Sequence, residues 1–584
     1  MGLLLVLSVP AVRVISALLG GPDYRLHDDG TIVYTALRAS LGEYPHIAFP
    51  YHYAGGWEMA LAQLFRAFGS SLGLAQWALG CTMAISGVAL YLILVRLKVD
   101  QTIAVCLAVF GSLAAFALHF HLLPAWPSQT AVLWGTVLLF IGLRRSSSVS
   151  ILAAGFCVGL AISMKQNSGI YAGLAFVLYS VLWFLQLTPT SGDGSTPRGF
   201  KRWVLVAAAW LTVLVMLLIP ALLLFIIRVH LTLLNSAMFL LLPGIITILI
   251  VRDFMRVCLG SVTRCVSMMR RLWSTYFLLG SGVFFGFLPL LLFYISQHGA
   301  GPFISESFLQ AQTVGVARFA GFTNEVLFAS VDACLIYVVP LAAASFMFGA
   351  AYSWWRRYDG NGPSQLLLLV SLVVAFGYFT LYPNPFWVYI NYLATLMLVP
   401  VAMAVDRHLK HKISRSIVRS AVVMAVIGLV GLAGVLTLAA THRSWGTMQG
   451  HIQWLDDPRG QTYVRKSWAE YLAPVLAYLR TRPDSERFIA YDLHNRTIAF
   501  LTGRRIEMDF GQRLHLGGAD KTDYVEILTQ INGRGISIVI LSKRSLQESP
   551  ELNDLLDRLR KDYVLVLNNE NHLIFQKSDA SDSS

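Results

Sequence analysis

Long apolar segments alternate with short polar ones over the first three quarters of the chain. An α-helix needs about 20 apolar residues to cross the hydrocarbon core of a bilayer. Segments of roughly that length lie near residues 2–19, 72–95, 102–118, 130–143, 150–164, 168–187, 203–227, 234–251, 273–295, 328–352, 366–381, 387–404 and 420–440. The pattern therefore predicts a polytopic α-helical membrane protein with about 13 transmembrane helices.

The overall composition is typical of such a protein. Of the 584 residues, 56% are hydrophobic and 13% are charged, and the mean hydropathy is +0.61. The net charge of +13 would also suit a nucleic-acid-binding protein, but the basic residues are scattered over loops rather than gathered on one domain. We therefore expect the lipid bilayer, and no nucleic acid, as a partner. The six cysteines have no ligand-like spacing, which predicts neither a disulfide framework nor a structural zinc site.

The positions of Lys and Arg predict how the chain is oriented in the membrane. Alternate connections between the apolar segments carry Arg96/Lys98, Arg144/Arg145, Arg198/Lys201/Arg202, Arg252/Arg256/Arg264/Arg270/Arg271, Arg356/Arg357 and Arg407/Lys410/Lys412/Arg415/Arg419. Short basic loops of this kind face the cytoplasm. The other connections are mostly rich in His, Pro, aromatic and acidic residues, and we place them and the C-terminal part on the extracytoplasmic side of the inner or plasma membrane.

From about residue 445 the composition becomes that of a soluble domain, so the predicted domains are residues 1–444 and 445–584. The stretch from Trp468 to Arg480 predicts an amphipathic helix. Strand-like stretches follow at 487–491, 536–541 and 563–567, with helical segments near 523–532 and 551–560. This alternation predicts a small extracytoplasmic α/β domain with parallel strand pairing.

Candidate chemistry is concentrated in the first outer loop, at about residues 20–71. Asp28 and Asp29 follow the first apolar segment, and acidic residues in such places are often functional. A carboxylate there can take the proton of an acceptor hydroxyl during sugar transfer, while its neighbour fixes the geometry or holds a metal. The alternative is a solvated carboxylate, or the N-cap of a helix from Thr31 to Ser40.

The first apolar segment is followed by Asp28, Asp29 and Gly30, then by Arg38, Gly42 and Pro45, and then by Tyr51, Gly55 and Gly56. This order resembles the first outer loop of the GT-C superfamily of glycosyltransferases, especially its bacterial protein-mannosyltransferase-like and aminoarabinose-transferase-like members. In that superfamily the first acidic residue of the pair is the catalytic one, which maps to Asp28. The second is usually Glu, whereas this chain has Asp29.

The resemblance implies a membrane glycosyltransferase that takes its sugar from a polyprenyl-phosphate donor. Transfer would invert the anomeric carbon, with an Asp as general base and a glycan, lipid or protein as acceptor on the extracytoplasmic face. The C-terminal domain holds no Gly-rich phosphate-binding turn. We therefore predict that it binds the acceptor or acts as a lid.

The leaving phosphate needs positive charge, which Arg supplies bidentately and Lys as a point charge. The candidates for binding the donor phosphate are Lys165, Arg318 and Arg25, and those for binding the substrates are His52, Tyr53, Gln166, Asn167, Tyr382 and Asn384. A Lys that snorkels at a helix end is the alternative for Lys165. An interfacial aromatic belt is the alternative around Tyr382. The long outer loop that contains Glu306 is predicted to order over the acceptor.

The sequence assigns no metal ligand and leaves the cofactor unknown, with a divalent metal, Mg or Mn, as a candidate. Outer-loop histidines would complete an Asp/His set, but hydrogen bonds from His27, His46, His52, His119 and His121 to loop carbonyls are the favoured interpretation. Two other functions stay open. A polytopic transporter or flippase is disfavoured because no internal repeat is evident, and a polysaccharide polymerase of the cell envelope is the second alternative.

Overall fold

The computed structural model describes residues 26–51, 53–118, 122–187, 200–228, 233–260, 262–310, 331–357, 362–381, 395–400, 402–403, 406, 452–455, 459, 462–491, 495–507, 531, 533–548 and 552–578. The predicted spans near 2–19 and 420–440, and the predicted boundary at residue 444, lie outside these residues. So does most of the helix predicted near 523–532.

Most of the described helices before the C-terminal domain follow the predicted apolar segments, whereas Leu26–Ser40, Gly56–Phe68 and Ala300–Ile304 lie in predicted outer loops. They are α1 (Leu26–Ser40), α2 (Gly56–Phe68), α3 (Leu72–Arg96), α4 (Gln101–Leu118), α5 (Ala125–Arg145), α6 (Ser148–Met164), α7 (Gln166–Leu187), α8 (Phe200–Ile227), α9 (Leu233–Gly260), α10 (Val262–Ser296), α11 (Ala300–Ile304), α12 (Val331–Arg357) and α13 (Gly362–Gly377). A π-helical turn (Ser305–Gln310) follows α11, and a 3₁₀ turn (Tyr378–Leu381) follows α13.

Within the described part of the chain, eight helices are long and apolar enough to cross a membrane, and Ser148–Met164 is a shorter apolar helix. Large apolar side chains such as Trp210, Ile248 and Phe277 are exposed on α8 to α10, as expected for surfaces that contact lipid. The polytopic α-helical fold is therefore confirmed. The total of about thirteen spans stays a prediction.

Glycines allow α6 and α10 to cross at backbone contact. Gly155 and Gly159 on α6 face Gly282 and Gly286 on α10, and a Cβ atom built on any of the four would lie 2.1–2.2 Å from a carbonyl oxygen of the other helix. Small residues spaced by four let membrane helices approach this closely. The crossing fixes α6, whose last residue precedes Lys165 in the sequence.

The C-terminal domain contains β1 (Ile452–Leu455), β2 (Thr462–Arg465), α14 (Lys466–Arg480), β3 (Phe488–Tyr491), α15 (Asn495–Thr502), β4 (Ile538–Ser542), α16 (Lys543–Glu548), α17 (Leu552–Asp562), β5 (Tyr563–Asn568) and β6 (His572–Lys577). The predicted amphipathic helix and three strands are confirmed. The main sheet has the order β3-β4-β6-β5. Only β3 and β4 pair in parallel, whereas β6 pairs antiparallel with both β4 and β5. The predicted parallel pairing is thus wrong for β5, because a tight turn at residues 569–571 folds β6 back beside it.

The C-terminal domain packs on α1 through its helix α15. A Cβ atom on Gly30 would lie 3.0 Å from the backbone Cα of Thr497, so only a glycine permits this approach. Beside this contact the Tyr34 hydroxyl accepts a hydrogen bond from the backbone N–H of Ile506 at 2.8 Å. Backbone contact and hydrogen bonding together join the domain to the first loop, the segment of residues 20–71.

We predict that Gly159→Val disrupts the crossing of α6 and α10. Its side chain would overlap a backbone carbonyl, and overpacking of this kind costs about 1–3 kcal/mol. Thermal unfolding of the purified protein in detergent should therefore shift to lower temperature. Gly280→Val is the matched control, because a Cβ at Gly280 on the same α10 meets nothing within 4 Å. Equal unfolding temperatures for the two variants would contradict the predicted role of the crossing.

Candidate active site

Asp28 and Asp29 lie in the first turn of a helix rather than in a loop. Helix α1 begins at Leu26, ahead of both residues. The alternative reading, in which one of them caps a helix starting at Thr31, is therefore wrong. Aligned peptide dipoles stabilise negative charge in a first turn. The helix thus provides a favourable place for both carboxylates, although the side chain of Asp28 lies outside the described part of the chain.

Asp29 is only 1% exposed, and its carboxylate connects two parts of the molecule. Its Oδ1 atom accepts a hydrogen bond from the backbone N–H of Leu122 at 2.8 Å. The carbonyl oxygen of Leu122 accepts a hydrogen bond from the indole Nε1 of Trp57 at 2.9 Å. Both backbone groups of Leu122 are thus bound by side chains of the first loop, one from α1 and one from α2. Asp29 therefore positions the loop on the helix bundle.

Lys165 lies in the connection between α6 and α7, at the same end of the bundle. It follows the last residue of α6, and its side chain is 6% exposed. Burial lowers the pKa of its ammonium group to about 7, because removing a cation from water favours the neutral amine. The first loop reaches this connection at Gly56, where a Cβ atom would lie 2.5 Å from the carbonyl oxygen of Ser163.

The two residues after Lys165 have different surroundings. The Nε2 of Gln166 donates a hydrogen bond to the carbonyl oxygen of Ser307 at 2.7 Å, so Gln166 is joined to the π-helical turn. The side chain of Asn167 accepts a hydrogen bond from the backbone N–H of Ser168 at 2.8 Å. Asn167 therefore satisfies a backbone donor in the first turn of α7, and its predicted contact with substrate stays a prediction.

His46 fastens the first loop to the same π-helical turn. One ring nitrogen, Nδ1, lies 2.7 Å from the Glu306 carboxylate, and the other, Nε2, lies 2.9 Å from the carbonyl oxygen of Tyr53. The backbone N–H of Tyr51 also donates to Glu306 at 3.0 Å. For His46, the favoured interpretation of a hydrogen bond to a loop carbonyl is confirmed. Glu306 marks the start of the long loop predicted to order over the acceptor.

Glu58 is a buried acidic residue that the sequence reasoning missed. It is fully buried in the first turn of α2, and its Oε1 accepts a hydrogen bond from the Tyr51 hydroxyl at 2.6 Å. Burial raises the pKa of the Glu58 carboxyl from 4.5 to about 7. The available signal was its place among Trp57, Leu61 and Phe65, the apolar side of an amphipathic helix.

Five predicted site residues, Arg25, Arg318, His52, Tyr382 and Asn384, lie outside the described part of the chain. Among the described residues, no group of three or more His, Cys, Asp or Glu side chains is arranged to hold a metal ion. The buried carboxylates of Asp29 and Glu58 make hydrogen bonds to protein groups, Asp29 to a backbone amide and Glu58 to a phenol. As arranged, the two do not form a metal-binding set.

No protein-family model and no curated protein sequence matches the chain. Solved structures of an oligosaccharyltransferase and of ArnT are similar to it over nearly its whole length. The oligosaccharyltransferase of Archaeoglobus fulgidus, in complex with Zn and sulfate, is 11% identical with a TM-score of 0.44, and the match covers 99% of this chain and 73% of that one.

ArnT from Cupriavidus metallidurans is similar in two states. The structure bound to undecaprenyl phosphate is 12% identical with a TM-score of 0.36, and the apo structure is 13% identical with a TM-score of 0.38. Both matches cover 99% of this chain and 98% of ArnT. At these values the likeness carries no argument about the function of this chain.

We predict that Glu58→Gln removes a pH dependence of stability. Because the folded pKa of about 7 exceeds the unfolded value, the native state holds a proton that the unfolded state releases between about pH 4.5 and 7. The free energy of unfolding therefore falls as pH rises through this window. The uncharged amide of the variant should abolish that fall.

The measurement is the difference in unfolding temperature between pH 5 and pH 8, which should be smaller in Glu58→Gln than in the wild type. Glu470→Gln serves as the control, because Glu470 is exposed on α14 and should leave the difference unchanged. A wild-type pH dependence in Glu58→Gln would show that this carboxyl is not the buried titrating group.

Proposed function

We propose that the protein is a membrane glycosyltransferase that moves a sugar from a polyprenyl-phosphate donor to an acceptor at the extracytoplasmic face. In this proposal Asp28 is the general base, Asp29 positions the loop and Lys165 meets the donor phosphate. The acceptor is a glycan, a lipid or a protein, and the C-terminal domain binds it or closes over it.

The first turn of α1, which contains Asp28 and Asp29, is called the acidic turn. The observation that carries the proposal is a continuous set of contacts between this turn and Lys165. Asp29 is hydrogen-bonded to Leu122, and Leu122 is hydrogen-bonded to Trp57. Gly56, which precedes Trp57, packs against Ser163, two positions before Lys165. An acidic turn and a buried cation therefore share one end of the helix bundle. Ionisable groups buried together at the end of membrane helices are typical of functional sites.

The reaction proposed here is a single displacement. The acceptor hydroxyl oxygen attacks the anomeric carbon from the face opposite the phosphate, and the bond between that carbon and the phosphate oxygen breaks. The hydroxyl proton passes to the Asp28 carboxylate, and the bonding electrons leave with the phosphate. The products are the glycosylated acceptor, inverted at the anomeric carbon, and the free polyprenyl phosphate.

Lys165 suits the leaving group because a phosphate nearby increases the protonated, positively charged fraction of its amine. With a pKa of about 7 the amine is partly neutral at neutral pH, and a phosphate beside it favours the protonated form. Buried surroundings also strengthen the attraction between ammonium and phosphate relative to water. Gln166 keeps the π-helical turn beside this connection, and its contact with the substrate stays a prediction.

We predict that Asp28→Asn slows sugar transfer by about 100-fold or more, the range expected for a lost general base. The amide cannot take the acceptor proton. Binding of the donor lipid should persist, because the phosphate contacts remain. Single-turnover transfer from a radiolabelled polyprenyl-phosphate sugar measures the first effect, and equilibrium binding of undecaprenyl phosphate measures the second.

Asp557→Asn is the control for this substitution, since Asp557 is exposed on α17 and should transfer at the wild-type rate. If Asp28→Asn and Asp29→Asn both transferred at the wild-type rate, the assignment of the base would be wrong. Unchanged movement of substrate across the membrane by Asp28→Asn, without any transfer, would favour the transporter alternative.

We predict that binding of undecaprenyl phosphate weakens as pH rises above 7 in the wild type. Lys165 must take up a proton there to meet the phosphate, and one linked proton costs up to about tenfold in affinity per pH unit. The phosphate itself is already a dianion in this range, because its second pKa is about 6. Binding titrations at pH 6.5, 7.5 and 8.5 measure the effect.

Lys165→Arg keeps a permanent charge and should bind with little dependence on pH above 7. Lys165→Met should bind weakly at every pH. A wild-type profile that matches that of Lys165→Arg would refute the proposed role of the titrating amine.

A further inference from the structure

The C-terminal domain places a buried arginine beside the acidic turn. Arg496 is 3% exposed and lies in the first turn of α15, next to Thr497. Thr497 makes the backbone-level contact with Gly30, which follows Asp29. The cation of the C-terminal domain and the carboxylate of the first loop thus flank the same contact, although they are far apart in the sequence.

The charge of Arg496 also acts on the hydrogen-bonded pair of Tyr51 and Glu58. Burial and the Glu58 carboxylate raise the pKa of the Tyr51 phenol well above its ordinary value, and the positive charge of Arg496 opposes this rise. Aromatic packing of Phe500 against Phe65 on α2, with ring centroids 6.2 Å apart, holds α15 in this place.

Lys165 becomes fully charged only by taking up a proton when a phosphate binds. A lysine with a pKa of about 7 is protonated about half of the time at neutral pH before that. A guanidinium remains charged at every physiological pH and binds two phosphate oxygens in a fork. A second, permanent cation is thus what the chemistry of this leaving group calls for.

We propose that Arg496 of the C-terminal domain binds the donor phosphate together with Lys165, so that docking of this domain on α1 completes the active site. The inference rests on the proposed function and deepens it. It gives the C-terminal domain a contact with the donor, in addition to the predicted role in acceptor binding or closure.

The test compares two lipids that differ only in the phosphate, undecaprenyl phosphate and undecaprenol. Binding of each to the full-length protein is measured in nanodiscs for the wild type, Arg496→Ala, Arg496→Lys and Arg558→Ala. Arg558 is an exposed arginine on α17 of the same domain and serves as the matched control. Thermal unfolding of each variant reports whether it is folded.

Arg496→Ala should bind undecaprenyl phosphate about tenfold or more weakly, as expected when a charge-assisted hydrogen bond is lost, and should bind undecaprenol as the wild type does. Arg496→Lys should lose less affinity for undecaprenyl phosphate, because it keeps the positive charge but cannot bind two phosphate oxygens at once. Arg558→Ala should match the wild type. If Arg496→Ala does not fold, Arg496→Gln takes its place, and loss with Gln but retention with Lys supports the inference.

Two results would overturn the inference while leaving the proposed function intact. One is a wild-type preference for the phosphate lipid in Arg496→Ala or Arg496→Gln. The other is an equal loss of affinity for undecaprenyl phosphate and for undecaprenol, which would show that Arg496 acts through packing. A wild type that binds the two lipids equally would instead overturn the proposed function itself.

Discussion

The geometry of the candidate site depends on how the first loop is held against the helix bundle, and one residue, Leu122, binds two side chains of that loop. The backbone N–H of Leu122 is bound by the Asp29 carboxylate, and its carbonyl oxygen is bound by the Trp57 indole. Leu122 is fully buried, so neither backbone group has water as an alternative partner. Removing either side chain would leave a buried polar group unsatisfied, which costs about 1–3 kcal/mol.

Around this anchor the fold gathers ionisable groups that it must desolvate. Asp29, Glu58 and Lys165 are almost fully buried, and so is Arg496 of the C-terminal domain that packs on α1. Burial of this kind is costly unless the groups are hydrogen-bonded or meet opposite charge. The pKa values of Glu58 and Lys165 have both moved toward 7, which means that each readily changes its protonation state near neutral pH. The proposed reaction, which moves a proton and releases a phosphate, would use such groups.

The sequence predicts the described helices well, since the length of an apolar run is set by the thickness of the bilayer. It also locates the acidic turn and Lys165, because charged residues stand out against apolar neighbours. It does not show that Asp28 and Asp29 are helical, since a polar start such as residues 26–30 has no periodic pattern. The glycine crossing of α6 and α10 and the contact between Gly30 and Thr497 are pairings of distant segments, and residue order alone does not specify them.

Glu58 and Arg496 illustrate the same limit within the site. Each is a charged residue in a short amphipathic helix, and the sequence indicates at most which side of that helix it lies on. Only the tertiary contacts, between α2 and Tyr51 and between α15 and α1, make these charges buried. Similarly, β6 was not predicted, since its pairing with β4 decides its role more than its own residues do.

The central claim is that the buried end of the bundle holds a polyprenyl phosphate. The most direct measurement is mass spectrometry of the lipids that copurify with the full-length wild type and with Lys165→Met. The account predicts that polyprenyl phosphate, free or carrying a sugar, is enriched on the wild type over its share of the membrane extract and is depleted on the variant. Identical lipid profiles without polyprenyl phosphate on either protein would contradict it.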